Sequence, residues 1–147
     1  MRILKRILFV LLALVALWLI AGLFISKEYS CERSVTIQKP KAYLFQFIKY
    51  LGNQEKFSKW AKMDPNMQHG LKGSPDGSVG AISWWNGNSK VGQGEQEIKG
   101  ITENERIDYE LRFEKPMKSI ANSHLTTTDD AGGSKVIWSI EIGRAHV

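Results

Sequence analysis

The chain begins with an apolar run that constrains where the rest of it can lie. The segment ILFVLLALVALWLIAGLFI, from Ile7 to Ile25, has no charged or polar side chain. A helix of that length reaches roughly 28 Å, close to the hydrocarbon thickness of about 30 Å. A buried core helix would instead show a polar stripe. We therefore predict an uncleaved transmembrane anchor, with a cleaved signal peptide, whose apolar region is usually shorter, as the alternative.

The charges that flank this run predict its orientation. Arg2, Lys5 and Arg6 precede it, whereas Lys27 and Glu28 behind it balance each other. Positive charge is retained on the cytoplasmic side of a membrane. We therefore predict a single-pass protein with a cytoplasmic N-terminus and its domain on the non-cytoplasmic (periplasmic or extracellular) side.

The net charge of +5 belongs largely to this anchor. Residues 1–27 carry +4, and residues 28–140 carry 15 basic and 14 acidic side chains, a net +1. No basic cluster with interleaved aromatic residues remains, which argues against nucleic-acid binding. Cys31 is the only cysteine, so an intrachain disulfide and a thiolate metal site are excluded.

Beyond the anchor, residues 28–140 have the pattern of one small domain. Tyr29 to Gln38 alternates apolar and polar residues, which predicts a strand. Pro40 begins a predicted helix, because its missing N–H costs nothing in a first turn. Gly52-Asn53 is predicted to end that helix, and a second short helix is predicted from Gln54 to Trp60.

The remainder is punctuated by glycine and short polar turns, as expected for antiparallel strands. Arg106 to Phe113 gives the clearest alternation, with one apolar face and one fully charged face. Asn86-Gly87 predicts a hairpin turn, and the segment 129–133 predicts another. The order of one strand, two helices and about six further strands predicts an α+β fold with a long curved sheet covered on one face.

Many weak motifs in this order resemble one known family. The quoted segments are Tyr29 to Ile37 followed by Pro40, Trp60 to Met67, Gly77 to Ala81 through Trp85, Val91 to Gly94, Asn104 to Ile107, Phe113 to Pro116 and Val136 to Ser139. Together they resemble the membrane-anchored polyketide cyclase/dehydrase and lipid transport group of the SRPBCC (START-like, Bet v 1-like) superfamily. The resemblance runs from the anchor to about Ile140.

The resemblance implies a helix-grip fold, in which a curved antiparallel sheet wraps around a long C-terminal helix and encloses an apolar cavity. This sequence shows no such helix after its last predicted strand. The segment 141–147 breaks the strand pattern, and one back-translation of it contains the start of a common sequencing adapter. We therefore expect an incomplete domain over residues 28–140 and an artefactual tail over residues 141–147.

Few residues offer catalytic chemistry. His69, His124 and His146 lack the spacing of metal ligands, so we expect no metal site and no cofactor. No Gly-x-Ser-x-Gly motif is present. Gly92-Gln93-Gly94 lacks the third glycine and the following helix of a dinucleotide loop, and its glycines more plausibly permit a bent strand.

Aromatic residues are the best candidates for a ligand cavity. Five lie in or beside strands that would line the concave face: Trp60, Trp85, Tyr109, Phe113 and Trp138. Trp84 and Trp85 must point to opposite sides of their strand, and the motif alignment selects Trp85. Core packing is the alternative role for each of the five. Asp64 fits either a polar group at the cavity mouth or a turn residue.

Three functions follow from these observations. The first is a membrane-anchored module that binds a lipid or another hydrophobic small molecule. The second is an enzyme of the cyclase or dehydratase type, which would need acid and base groups within the cavity. The third is a structural or stress-response protein without a ligand.

Overall fold

The computed structural model describes residues 2–24 and 29–142. The helices are α1 Arg2–Phe24, α2 Lys41–Ile48 and α3 Leu51–Phe57, and a single 3-10 turn spans Ala61–Met63. The strands are β1 Tyr29–Ile37, β2 Gln68–Gly73, β3 Ala81–Asn86, β4 Gln93–Thr102, β5 Arg106–Lys115, β6 Ser119–Asp130 and β7 Gly133–Ile142. The predicted α+β order of strand, two helices and six strands is confirmed.

The seven strands form one antiparallel sheet in the order β1-β7-β6-β5-β4-β3-β2. The first strand therefore lies beside the last, and the remaining neighbours follow chain order. The pairing of β4 with β5 shifts register at Gln93/Gly94 and again at Ile98/Gly100. A bulge bends its strand and increases the local twist, so both shifts contribute to the curvature of the sheet.

Strand alternation gives the sheet a concave apolar face and a convex charged face. On β5, Ile107, Tyr109 and Leu111 are buried, whereas Arg106 is exposed and Glu110 is half-buried. This is the alternation predicted for the segment from Arg106 to Phe113. The side chains that could bind an apolar molecule therefore lie on the concave face.

The two short helices pack against part of the concave face and form the core there. Phe45 of α2 and Leu51 of α3 are buried against sheet residues that include Ile98, Ile107 and Leu125. Full burial of such a side chain contributes about 1.5–3 kcal/mol to stability. Because α2 and α3 are only two turns long, they leave the rest of the concave face open.

The break between α2 and α3 differs from the prediction. Gly52 and Asn53 lie within α3, and the chain bends instead at Lys49 and Tyr50. The carboxylate of Asp76 accepts hydrogen bonds from the backbone N–H of Leu51 (2.7 Å) and of Gly52 (3.1 Å). These N–H groups have no partner within the helix, so Asp76 caps α3 from a distant loop.

Ion pairs on the convex face hold β4 and β5 together. Arg112 contacts Glu95 (2.7 Å), Glu97 (2.7 Å) and Glu110 (2.5 Å). Hydrogen bonds from Lys72 and Arg112 lower the pKa of Glu95, and one from Arg112 lowers the pKa of Glu97. These carboxylates form ion pairs on the convex face and do not reach the concave face.

The two ends of the chain are described in part. In the described residues, no helix is both long and apolar enough to cross a membrane. The predicted span ends at Ile25, which lies outside the described residues. β7 continues through Glu141 to Ile142, paired with Ser30 and Tyr29, so the prediction that the strand pattern breaks at residue 141 is wrong. Residues 143–147 lie outside the described residues.

Candidate ligand-binding groove

The open part of the concave face forms a groove with two adjoining cavities. The large cavity, of about 480 Å³, lies between α2 and the strands β1 and β7. The small cavity, of about 340 Å³, lies between α3, the 3-10 turn and residues from all seven strands. Arg33 and Trp138 line both cavities. Their volumes fall in the range of about 300–1,000 Å³ that is usual for small-molecule sites.

The two cavities differ in their lining. The large cavity is lined by Arg33, Ser34, Val35, Ile37, Tyr43, Leu44, Phe47, Ile48, Phe57, Leu125, Val136 and Trp138. The small cavity is lined by Cys31, Arg33, Leu51, Gln54, Glu55, Ser58, Trp60, Ala61, Met67, His69, Ser83, Trp84, Trp85, Gln96, Leu111, Phe113, Ser123, Trp138 and Ile140. The large cavity is therefore mainly apolar, and the small one adds several polar groups.

Four of the five predicted aromatic residues lie together around the small cavity. They are Trp60, Trp85, Phe113 and Trp138. Trp60 is half exposed at the rim, and its Nε1–H donates to the carbonyl oxygen of Val91 (3.3 Å). The structure therefore brings together residues that are far apart in the sequence.

Tyr109, the fifth candidate, does not line either cavity. It lies in the core beneath α3, where its hydroxyl accepts a hydrogen bond from Nε2 of Gln54 (3.2 Å). The side chain of Gln96 in turn donates to Oε1 of Gln54 (3.1 Å). Burial raises the pKa of Tyr109 above its usual range, so the phenol stays neutral. Alternation predicted the correct face, but α3 covers this position.

Trp84 and Trp85 are consecutive on β3, so the pleat directs their side chains to opposite faces of the sheet, although atoms of both residues line the small cavity. Trp85 lies edge-on to Phe113, with ring centroids 5.9 Å apart. Gly94 on the neighbouring strand provides the space for this ring, because an added Cβ would lie 2.8 Å from Cζ2 of Trp85. The Trp85 Nε1 atom is buried and has no hydrogen-bond partner in the described part of the chain.

Trp138 forms part of the wall between the two cavities. Its Nε1–H donates to Oγ of Ser123 (2.9 Å), and that hydroxyl donates to the carbonyl oxygen of Ser139 (2.7 Å). Phe57 packs edge-on against the Trp138 ring at 6.2 Å. Because its ring packs against Phe57 and its indole N–H is hydrogen-bonded, the position of Trp138 is well defined.

Sequence reasoning missed three polar residues of the groove, Arg33, Glu55 and His69. Alternation already placed Arg33 on the same side of β1 as Val35 and Ile37, and this signal could have identified it. His69 on β2 lies 2.7 Å from Oε1 of Glu55, measured from Nδ1, and both side chains line the small cavity. Glu55 comes from α3, so only the tertiary structure pairs it with His69.

Two other expectations concern polar residues. Asp64 is a turn residue that does not line the groove: its carboxylate accepts from the N–H of Asn66 (3.1 Å) and of Asn88 (2.7 Å). Across residues 2–24 and 29–142, no cluster of three or more histidine, cysteine or acidic side chains has the geometry to hold a metal ion.

The fold and groove define a class of protein. In the described residues, a curved antiparallel sheet with two short helices against its concave face forms the part of the helix-grip arrangement that precedes the long C-terminal helix. Solved structures with this arrangement match the chain at low sequence identity. The likeness shows a Bet v 1-like fold.

Three similar structures illustrate this likeness. Ara h 8.0201 is 18% identical over 82% of each chain, with a TM-score of 0.55. Protein CV1439 from Chromobacterium violaceum is 13% identical over 80% of this chain and 83% of its own, with a TM-score of 0.56. Major latex-like protein 151 from Panax ginseng is 14% identical over 80% of each chain, with a TM-score of 0.55. No family model and no curated protein matches the chain.

The contact between Gly94 and Trp85 generates a testable prediction. In Gly94→Ala, the new Cβ would lie 2.6 Å from the carbonyl oxygen of Arg112 and 2.8 Å from the Trp85 ring. We expect the free energy of unfolding to fall by about 1–3 kcal/mol, because overpacking forces backbone or ring to move. Urea unfolding followed by tryptophan fluorescence measures this loss.

Gly100→Ala on the same strand is the matched control. Its nearest contact would be Oδ2 of Asp108 at 3.4 Å, an ordinary van der Waals distance. We expect its free energy of unfolding to stay within about 0.5 kcal/mol of the parent. Equal losses in the two variants would contradict the assigned close approach at Gly94.

Proposed function

We propose that this domain binds a hydrophobic small molecule in the concave groove. The observation that carries the proposal is the pair of adjoining cavities, with apolar walls and few polar groups. Such a lining is typical of small-molecule sites. The fold alone does not establish this function, because one fold hosts many functions.

The polar groups around the small cavity suit an apolar ligand with a few polar atoms. Gln54, Gln96 and Ser123 form hydrogen bonds within the protein, so the wall presents few unpaired groups to a ligand. Apolar contact then supplies most of the binding free energy, at about 25 cal/mol per Å² buried. Discrimination between apolar ligands would come from the shape set by Trp85, Phe113 and Trp138.

Filling the small cavity tests this proposal. Ser83 lines that cavity. In Ser83→Phe, the added ring would occupy space that a ligand needs. We therefore expect this variant to lose ligand binding. Ligand binding is measured as the rise in melting temperature across a panel of lipids and hydrophobic compounds, since a ligand specific for the native state must stabilise it.

Ser30→Phe provides the matched control, because Ser30 is exposed and faces away from the groove on β1. We expect it to retain the parent's response to the panel. If no compound stabilises the parent protein, the binding proposal fails. If both variants respond like the parent, the ligand does not enter the small cavity, and the large cavity is the part of the groove that holds it.

We also propose that α1 attaches the domain to a membrane, with the domain on the non-cytoplasmic side. The apolar run from Ile7 to Ile25 supports this, as do the large apolar side chains between Ile7 and Trp18, which are 52–83% exposed. Exposed apolar surface of this extent is costly in water. A domain held at a bilayer could take an apolar ligand directly from the lipid.

Fractionation and labelling test the attachment. We expect the full chain to stay in the membrane pellet after an alkaline carbonate wash, and a variant lacking residues 1–27 to be released. Cys31, the only cysteine, should react with a membrane-impermeant maleimide in intact cells. Release of the full chain by carbonate would contradict membrane attachment, and labelling only after cell lysis would contradict the orientation.

The His69–Glu55 pair favours a second candidate, proton-transfer catalysis at the small cavity. Glu55 can accept the Nδ1–H of His69, which leaves Nε2 with a lone pair. A proton α to a ligand carbonyl would move to Nε2, and the bonding electrons would pass to the carbonyl oxygen as an enolate. The imidazolium would then return a proton to carbon.

Deuterium exchange tests this candidate. The full protein in D₂O with 2-dodecanone should incorporate deuterium at the positions α to the carbonyl, as measured by mass spectrometry. His69→Gln should abolish the exchange above background, and His124→Gln, on the convex face, should leave it unchanged. Exchange that persists in His69→Gln would contradict the role of His69.

A further inference from the structure

The large cavity has an unbalanced charge distribution. Among the twelve lining residues that the structure describes, Arg33 is the one charged side chain, and the others are apolar or neutral polar. The small cavity differs, because Glu55 and His69 line it together with Arg33. Among the described lining residues, an anionic group at the large cavity would therefore meet a cation without a competing carboxylate.

Arg33 retains hydrogen-bonding capacity for a ligand. Its recorded contact is a long hydrogen bond from Nη1 to the carbonyl oxygen of Glu32 (3.3 Å). Within the described residues, no acidic side chain lies within 4.0 Å of its guanidinium. A guanidinium presents five N–H donors in a planar fork that fits a carboxylate or a phosphate.

Two lysines add positive charge beside the large cavity. The Nζ of Lys39 lies 5.8 Å from the ring centroid of Tyr43, and the Nζ of Lys56 lies 5.7 Å from that of Phe47. Both rings line the large cavity. Three cations thus accompany a cavity whose walls are otherwise mainly apolar.

We propose that the large cavity binds a single-chain amphiphile with an anionic head group. The apolar tail lies among residues such as Val35, Phe47 and Val136, and the carboxylate or phosphate head group pairs with Arg33. This inference rests on the proposed binding function and specifies its ligand class. It also explains why an arginine occupies a position on β1 that alternation directs toward the apolar groove.

The test compares three ligands with the same twelve-carbon tail: dodecanoate, dodecyl phosphate and the neutral 1-dodecanol. The full chain is held in phosphatidylcholine nanodiscs, and binding is titrated by tryptophan fluorescence, with empty nanodiscs as the partition control. We expect both anions to bind about tenfold more tightly than the alcohol, as expected for one hydrogen bond to a charged group. The ratio between dodecanoate and dodecyl phosphate distinguishes the two head groups.

Variants of the protein identify the residue that binds the head group. Arg33→Gln should reduce the preference for anions over the alcohol to about twofold or less, while the affinity for the alcohol stays unchanged. Arg33→Lys should retain part of the preference. Arg106→Gln, which removes an exposed arginine on the convex face, is the matched control and should behave like the parent.

The outcomes separate this inference from the proposed function. If the alcohol binds as tightly as the anions in the parent, apolar binding stands and head-group recognition is wrong. If Arg33→Gln keeps the full preference, Arg33 is not the recognition residue. If none of the three ligands binds, both the inference and the binding function fail for single-chain ligands.

Discussion

The packing of α2 and α3 against the concave face of the sheet is the constraint on which the rest of the structure depends. Phe45 and Leu51 are buried against the central strands, where Ile98 and Ile107 complete the core. The two helices are too short to cover the whole face, so they close the core at the centre and leave an uncovered groove beside it. The same contacts therefore stabilise the domain and define the walls of its cavities.

The pleat of the sheet separates two kinds of chemistry. On the convex face, Arg112 forms ion pairs with three glutamates, and this network holds β4 and β5 in register. On the concave face, aromatic and aliphatic side chains predominate, and Arg33 is a charged exception beside the large cavity. Arg33 itself is exposed at the groove, so its planar fork of N–H donors, rather than a low local polarity, would hold an anionic group there. This contrast is the physical basis for the proposed ligand class.

Several features could not be derived from the sequence because they depend on contacts between distant residues. The cap of α3 comes from Asp76, 25 residues after Leu51, so local signals placed the helix boundary wrongly at Gly52-Asn53. Tyr109 was assigned to the correct face but lies under α3, because alternation predicts the side of a strand and cannot predict what covers it. The pairing of His69 with Glu55 likewise requires the approach of β2 to α3.

The sequence alone determined the alternation of β1 and β5 and the order of helices and strands. It also determined that Trp84 and Trp85 face opposite sides of their strand, because all these features follow from local periodicity. It also located the apolar N-terminal run and the charge beside it. Only the tertiary structure decided that Trp60, Trp85, Phe113 and Trp138 meet around one cavity, and that Arg33 borders two cavities. The reason is that a cavity is a property of curvature and of partial coverage by helices, and both depend on register shifts and on contacts that no short segment contains.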